Sequence, residues 1–287
     1  MAITLTILGS KGGPAIRPGG PSPTSMLLDV DGSLYVVDCG LGVTRGFVET
    51  GHSLHRLSTI LITHHHSDHN LEFGNLIHTA WCAGLGTPVK AYGHKGLAAM
   101  WPAFCGLNAF DIATRIADEG RPPLEPMVDV TEFSEGPVFD DGIVSVTAMR
   151  NHHPPVVDSF ALRFVIRQIS GDKVIVFSGD TAFIPAMIPF AKGADILVHE
   201  AMYLPGVDRL VAKTPNAKRL REHLMASHTL AADAGRIARD AGVKHLVLNH
   251  LVPADDPQTR PEHWETEVRT AYAGALTVAR DGVKIAV

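Results

Sequence analysis

The sequence predicts a layered α/β protein with mixed sheets. Three observations predict it. Short apolar, β-branched runs are interleaved with segments of helical spacing; the strands come in sequential groups ahead of the helices; and polar ligand-type residues recur where a strand-like run stops. The chain of 287 residues is long enough for one large core or two small ones, and a single domain over 1–287 is expected.

Residues 3–8 read as the first strand. A Gly/Pro-rich loop follows over 9–23; its glycines suit an anion-binding nest but lack phosphate-loop spacing, so a plain connection is expected. Residues 26–30 and 34–37 form a hairpin across Asp31-Gly32, a two-residue turn signal. Residues 59–62 are a short apolar strand that runs into Thr63-His64-His65-His66-Ser67-Asp68-His69. Residues 71–83 have helical spacing, and 89–92 form another strand.

The least regular stretch, 101–126, holds Trp101, Phe104, Phe110, several prolines and helical spacing near 112–117. Two readings carry equal weight: an insertion that covers a pocket, or an excursion that packs on the core. In the second half, strand 143–148 ends near His152-His153. Strands Phe160–Ile166 and 174–177 follow, the latter ending at Ser178-Gly179-Asp180. Strand 196–198 ends at His199-Glu200. An amphipathic helix over 230–241 stops at Gly242, strand 245–248 ends at Asn249-His250, and a helix near 265–273 precedes a last strand, 283–287.

Composition is ordinary for a globular chain, with 45% apolar and 19% charged residues. The formal net charge of −5 gives no sign of a general grip on nucleic acid, and Lys213, Lys218, Arg219 and Arg221 read as a solvated helix face. Three cysteines (Cys39, Cys82, Cys105) are too few and too scattered for a disulfide framework or a cysteine-based zinc site. No basic leader opens the chain and no run approaches the ~20 apolar residues of a membrane span, so a soluble, cytoplasmic protein is expected.

The chemistry gathers in the 16 histidines. A single histidine at a strand end is ordinarily a polar surface or capping residue, and an Asp after Gly is ordinarily a turn former. Three consecutive histidines followed by Ser-Asp-His, at an otherwise apolar strand–helix junction, have little purpose without a cation. Imidazole nitrogen and carboxylate oxygen both suit zinc and similar metals. One short segment cannot fill two coordination shells. The remaining ligands must come from distant strand ends, where Asp38, His152/His153, Asp180, His199/Glu200, His228 and His250 stand.

These residues resemble the metallo-β-lactamase superfamily, whose signature is HxHxDH. Val36-Val37-Asp38-Cys39-Gly40 is similar to the aspartate segment before that signature, and Ser178-Gly179-Asp180-Thr181 to the bridging-aspartate segment. His199-Glu200-Ala201 and Ser227-His228-Thr229 resemble paired motifs of the ribonuclease Z and arylsulfatase-like branch, and Leu248-Asn249-His250 the final ligand motif. The resemblance implies a four-layer αββα sandwich of two mixed β-sheets with metals at one edge. It implies that His64, His66 and one of His152/His153 (His153 is chosen) hold one divalent ion. Asp68, His69 and His250 hold the other, and Asp180 bridges. Asp38 and His199 support the ligands, Asp68 also serves the reaction, and Glu200 with His228 protonates the leaving group.

The expected activity is that of a dinuclear hydrolase carrying two Zn2+ ions, with Mn2+ or Fe as alternatives. It would use a metal-bound hydroxide on a small ester, a phosphodiester or sulfate ester first. Ribonuclease Z carries a tRNA-gripping arm between the third ligand motif and Ser-Gly-Asp. Here only residues 154–179 lie between them, with no room for it. The expected partners are therefore a small-molecule ester and, in a homodimer, a second copy; nucleic acid and membrane are not expected. Competing readings are an armless tRNA 3′-processing endonuclease, a lactone or carboxyl-ester hydrolase, an iron-dependent oxygenase of the same fold, and a non-catalytic metal protein.

Overall fold

The computed structural model describes residues 1–287. In strand β1 (Ile3–Gly9) the side chains of Ile3, Leu5 and Ile7 join one buried cluster, and Leu8 joins another on the opposite face. The same split recurs in β2 (Ser25–Val30), where Leu28 and Leu27 part company, and in β3 (Ser33–Val37), where Val37 and Val36 do. Strands apolar on both faces belong in the middle of a layered structure, because each face needs its own cover.

The first sheet continues through β4 (Thr59–Leu61), β5 (Val89–Gly93) and β6 (Val128–Glu132), and the last strand of the chain, β14 (Lys284–Ala286), closes its other edge. Its order is β14-β1-β2-β3-β4-β5-β6, antiparallel as far as β3 and parallel from there to β6. The second sheet contains β7 (Gly136–Asp140), β8 (Val144–Arg150), β9 (Phe160–Ile166), β10 (Lys173–Phe177), β11 (Ile196–Met202), β12 (His245–Val252) and β13 (Ala275–Val278). Neighbours are antiparallel from β7 to β10 and parallel from β10 to β13. Both sheets are mixed, as expected.

One core lies between the sheets, where Leu5, Val37 and Leu61 meet Phe160, Phe164, Phe177 and Val198. Outside the first sheet lie α1 (Val43–Glu49), the short turn α2 (Ser67–Asn70), α3 (Phe73–Cys82), α4 (Leu97–Leu107) and α5 (Ala109–Glu119). Phe47, Leu76 and Trp81 fill the second core there. Outside the second sheet, α6 (Met187–Phe190), α9 (Ala231–Ala241) and α10 (Pro261–Arg269) cover a third core containing Ile237, Leu246 and Trp264. The result is the four-layer αββα sandwich. Two more helices, α7 (Leu204–Ala212) and α8 (Leu220–Ser227), stand over one end of it with a small cluster of their own.

Several elements differ from expectation. Helix α4 was hidden by Pro102, which sits inside it and reads as a breaker. Strands β6, β7 and β13 are short sheet-edge strands with no fully buried residue, too brief for their pattern to stand out in the sequence. Within 101–126, Trp101, Cys105 and Leu124 pack on the outer face of the first sheet. No residue of that stretch lines the cleft described below. No helix is long and apolar enough to cross a membrane.

Candidate metal centre

Strand β4 delivers the histidine run to the edge where the two sheets meet. Thr63 lies two residues beyond β4, and the chain bends there and again at His66 before turning into α2. His64 and His66 converge, His64 Nε2 lying 3.1 Å from His66 Nδ1, while His65 turns aside. His65 packs on His94, ring centroids 3.8 Å apart, and its Nδ1 meets Asn70. The helical turn then swings Asp68 and His69 to a neighbouring point.

Asp38 fixes this turn. It follows β3 with φ 62°, a left-handed conformation uncommon outside glycine. Its carboxylate accepts from Thr63 N (2.8 Å) and Thr63 Oγ1 (3.0 Å), and its Oδ2 lies 2.8 Å from His69 Nδ1. His69 is thereby oriented with Nε2 toward Asp68 and Asp180.

The distant ligands arrive from the second sheet. His153, just beyond β8, is buried, whereas His152 is exposed. His153 Nδ1 lies 2.9 Å from the Ser227 carbonyl, and its Nε2 points at His66. Asp180 follows β10 through Gly179, whose φ is 56°; a Cβ there would stand 2.5 Å from the Phe160 carbonyl oxygen. His250 is the extra residue of a bulge in β12: Glu200 pairs with Asn249 and Ala201 with Leu251, and His250, at φ 43°, is left over. A bulged residue is re-aimed relative to its neighbours, here into the site.

Two groups result. The ligand atoms of His64, His66, His153 and Asp180 lie within 4.8 Å of one another, as do those of Asp68, His69 and His250. Asp180 Oδ2 stands between the groups, 3.1 Å from His250 Nε2, 3.3 Å from His69 Nε2, 3.8 Å from His64 Nε2 and 3.9 Å from His153 Nε2. A third group, Asp180, His228 and His250, satisfies the same distance test.

The donor set fits divalent cations. His66 Nδ1 faces both His64 Nε2 and His153 Nε2 at 3.1 Å. It can share a proton with only one of them, so without a cation one pair of lone pairs would confront each other. A tetrahedral shell with metal–nitrogen bonds of about 2.0–2.1 Å places its ligand atoms about 3.3 Å apart, close to these separations. Burial pulls the His64 and His153 imidazoles below their ordinary range, His153 to about 4, which keeps them neutral as ligands must be. Burial opposes ionisation of Asp68, but His69 and His250 outweigh it and hold the carboxyl well below its usual range.

Beside the cluster, Glu200 Oε2 and His228 Nδ1 are 2.8 Å apart. Glu200 Oε1 also accepts from Thr181 N at 2.6 Å. Burial, with Asp180 adding to it, raises the Glu200 carboxyl, and burial lowers the His228 imidazole. His199 is a correction. It shares strand parity with Leu197, which faces the helices, so its ring lies on the other face of β11 from Glu200. Its Nδ1 meets only the Glu200 carbonyl and its Nε2 has no partner; it supports none of the ligands.

A cleft of about 360 Å3 opens over the cluster. His66, Asp68, Asp180, His228 and His250 form its floor, and Leu210, Leu224 and Val252 give it an apolar wall. Sequence reasoning missed several of its residues, His223 and Lys11 among them. His223, on α8, has its ring 5.8 Å from that of His228; its spacing five residues before His228 carried no helical-face signal. Lys11 belongs to the 9–23 loop, which is more than a plain connection: Gly13 N–H donates to Asp68 Oδ2 at 2.7 Å.

A family model described as the Beta-lactamase superfamily domain matches residues 34–251, most of the chain and all the residues that build the cluster. The protein belongs to the metallo-β-lactamase superfamily and is a metal-dependent hydrolase of ester bonds. Over 282 residues it is 30% identical to the Ribonuclease Z of Mycobacterium bovis (strain BCG / Pasteur 1173P2), covering 97% of this chain and 96% of the relative. It is 32% identical, with the same coverage, to the Ribonuclease Z of Mycobacterium avium (strain 104). Among solved structures it superposes on the metallo-β-lactamase fold protein YhfI from Bacillus subtilis with a TM-score of 0.73 at 20% identity, covering both chains fully. It superposes on the short form of human tRNase Z with a TM-score of 0.69 at 20% identity, covering 98% of each.

Proposed function

We propose that this protein is a two-metal phosphodiesterase of the ribonuclease Z type, cutting RNA on the 3′ side of a tRNA precursor. The observation that carries the reading is the Glu200–His228 pair beside a seven-donor cluster. A leaving ribose oxygen is a poor leaving group and needs a proton; a phenolate needs one far less. The end-to-end likeness to mycobacterial chains named Ribonuclease Z supports RNA as the substrate.

This revises the expectation of a small ester with nucleic acid set aside. That expectation leaned on the missing arm and the acidic net charge. The relatives align over 96–97% of both chains, so they leave no more room for a long arm than this chain does. The net charge of −5 is a total for the whole chain, while Lys11 and Arg17 stand at the cleft itself.

The roles proposed for the residues follow. His64, His66, His153 and Asp180 would hold one ion and Asp68, His69, His250 and Asp180 the other, with Zn2+ favoured by the histidine-rich donors. When bound, two such cations acidify a water and neutralise charge growing at phosphorus. The pair's own contribution is a proton count. As a neutral acid beside a neutral imidazole, or as carboxylate beside imidazolium, Glu200 and His228 together hold the same two protons. One lies between Oε2 and Nδ1; the other is on Nε2, on the ring edge away from Glu200. Giving up the Nε2 proton leaves a carboxylate accepting from Nδ1–H, a hydrogen bond already formed at 2.8 Å. Thr181 N–H holds the other carboxylate oxygen still.

The test is a comparison on metal-replete protein of a precursor tRNA with a 3′ trailer, bis(p-nitrophenyl) phosphate, p-nitrophenyl sulfate and a lactone. Cleavage of the precursor at one site, with kcat/KM well above the small esters, is the expected result. Turnover of small esters with an intact precursor would overturn the RNA reading and leave a small phosphodiester as the second. That second reading is favoured by the modest cleft volume and its apolar wall.

A further inference from the structure

The loop between β1 and β2 is built into the site. Lys11 N donates to the Ser22 carbonyl (3.0 Å), Gly12 N to the Leu251 carbonyl (3.1 Å), and Leu251 N to the Ser10 carbonyl (2.9 Å). The loop is therefore held from both sides, by the lead-in to β2 and by β12. Gly12 lies against the His250 ring so closely that a Cβ would come within 2.7 Å of it. Gly13 N–H binds Asp68 Oδ2. The backbone on which Lys11 stands thus rests on two of the proposed ligands.

The Lys11 side chain is 6% exposed, and the residue lines the cleft together with Arg17 and Asp255. Its ammonium donates to the carbonyls of Gly12 (3.0 Å) and Gly13 (3.3 Å). Asp255 is 3.8 Å away, beyond a hydrogen bond, and is already engaged by the Arg17 guanidinium. Apart from Asp68 and Asp180, which are taken up by the proposed metal cluster, the lining therefore carries two cations, Lys11 and Arg17, against one carboxylate, Asp255. Burying an ammonium is costly unless an anion compensates it. The Lys11 ammonium is held by its own loop's carbonyls and pairs with Asp255 only at longer range, so its charge is not used up by that shared carboxylate.

We propose that Lys11 and Arg17 form a subsite for a second phosphate of the substrate, the one neighbouring the ester that is cut. The inference rests on the phosphodiesterase reading above. Lysine offers a point charge and arginine a two-pronged donor, and together they suit an oxyanion with two or more free oxygens. That phosphate is either the next link of an RNA chain or the terminal phosphomonoester of a small molecule.

Three substrates separate these sources: a dinucleoside monophosphate, a trinucleoside diphosphate, and the dinucleoside monophosphate bearing a terminal phosphate. KM and kcat are measured on each with wild type, Lys11→Met, Lys11→Arg and Arg17→Met, alongside bound metal per chain. Lys11→Met is expected to raise KM on one of the phosphate-bearing substrates at least tenfold more than on the plain dinucleotide. Lys11→Arg should recover most of that loss, and Arg17→Met should show the same selectivity to a smaller degree. Selectivity on the trinucleotide identifies an RNA chain; selectivity on the terminal phosphate identifies a small substrate. Equal losses on all three substrates, or none, overturn the subsite. If Lys11→Met loses metal or fails to fold, half-exposed Arg17, which touches no proposed ligand, decides alone. Wild-type protein that cleaves none of the three would instead sink the phosphodiesterase reading, and the subsite with it.

Discussion

At the scale of single residues, the proposed arrangement separates holding metal from moving a proton, and substitutions should separate them too. Asp38 touches no cation in the proposed arrangement but fixes Thr63 and His69. Asp38→Ala is expected to weaken metal affinity by about 10–100-fold, read by competition with a chromogenic chelator. His228→Ala should keep the metal content and lower kcat by roughly 10²–10⁴-fold on an alkoxide leaving group, with far less effect on a nitrophenyl ester. The pH profile supplies an independent check. The donating form carries the Nε2 proton, so activity must fall as rising pH strips the pair. His228→Ala should erase that alkaline limb. Full activity of this variant on an alkyl diester would remove His228 from the proton-donor role.

At the scale of elements, strand ends and irregularities decide where the ligands point. Gly179 turns β10 toward the cluster at a φ of 56°, with the Phe160 carbonyl where a side chain would begin. Gly179→Ala should cost about 1–3 kcal/mol, seen as a fall in Tm of several degrees, together with loss of bound metal as Asp180 is displaced. A variant with unchanged Tm and metal would show that the turn tolerates a side chain. The same elements mark the limit of reading by pattern. The sequence suggested that the strands at 196–198 and 245–248 stop before His199 and His250. In the structure β11 and β12 run on through both residues, because the parallel pairing of β11 with β12 buries the polar stretch as completely as the apolar one. Continuing β11 by strict alternation is what sends Glu200 inward and His199 outward. Breaking alternation in β12 is what sends His250 inward. Neither register nor bulge leaves a trace in composition.

At the scale of the molecule, metal and fold are coupled through protons. Burial disfavours the charged form of His69, but Asp180, Asp38 and Asp68 outweigh it and raise its pKa well above the usual histidine value. A raised pKa in the fold stabilises it fully below the unfolded value, about 6.5, and that contribution is lost as pH rises through the folded value. Protein stripped of metal should therefore lose more Tm on going from pH 7 to 9 than metal-loaded protein does. Metal uptake should release protons, measurable by calorimetry in buffers of different ionisation enthalpy. Equal pH dependence with and without metal would contradict this coupling.

The sequence by itself determined the chemistry of the centre. The HxHxDH run, the aspartates after β3 and β10, and the histidines at the strand ends are local patterns, and local order along a chain is what a sequence states directly. Tertiary structure alone decided which of them meet. His250 reaches Asp68 from 182 residues away, His153 rather than His152 is buried, His199 turns outward, and Lys11 comes down beside the cluster. Each of these depends on sheet register and on how two sheets face one another. Those are sums over many weak contacts between distant segments, which no single stretch of sequence contains.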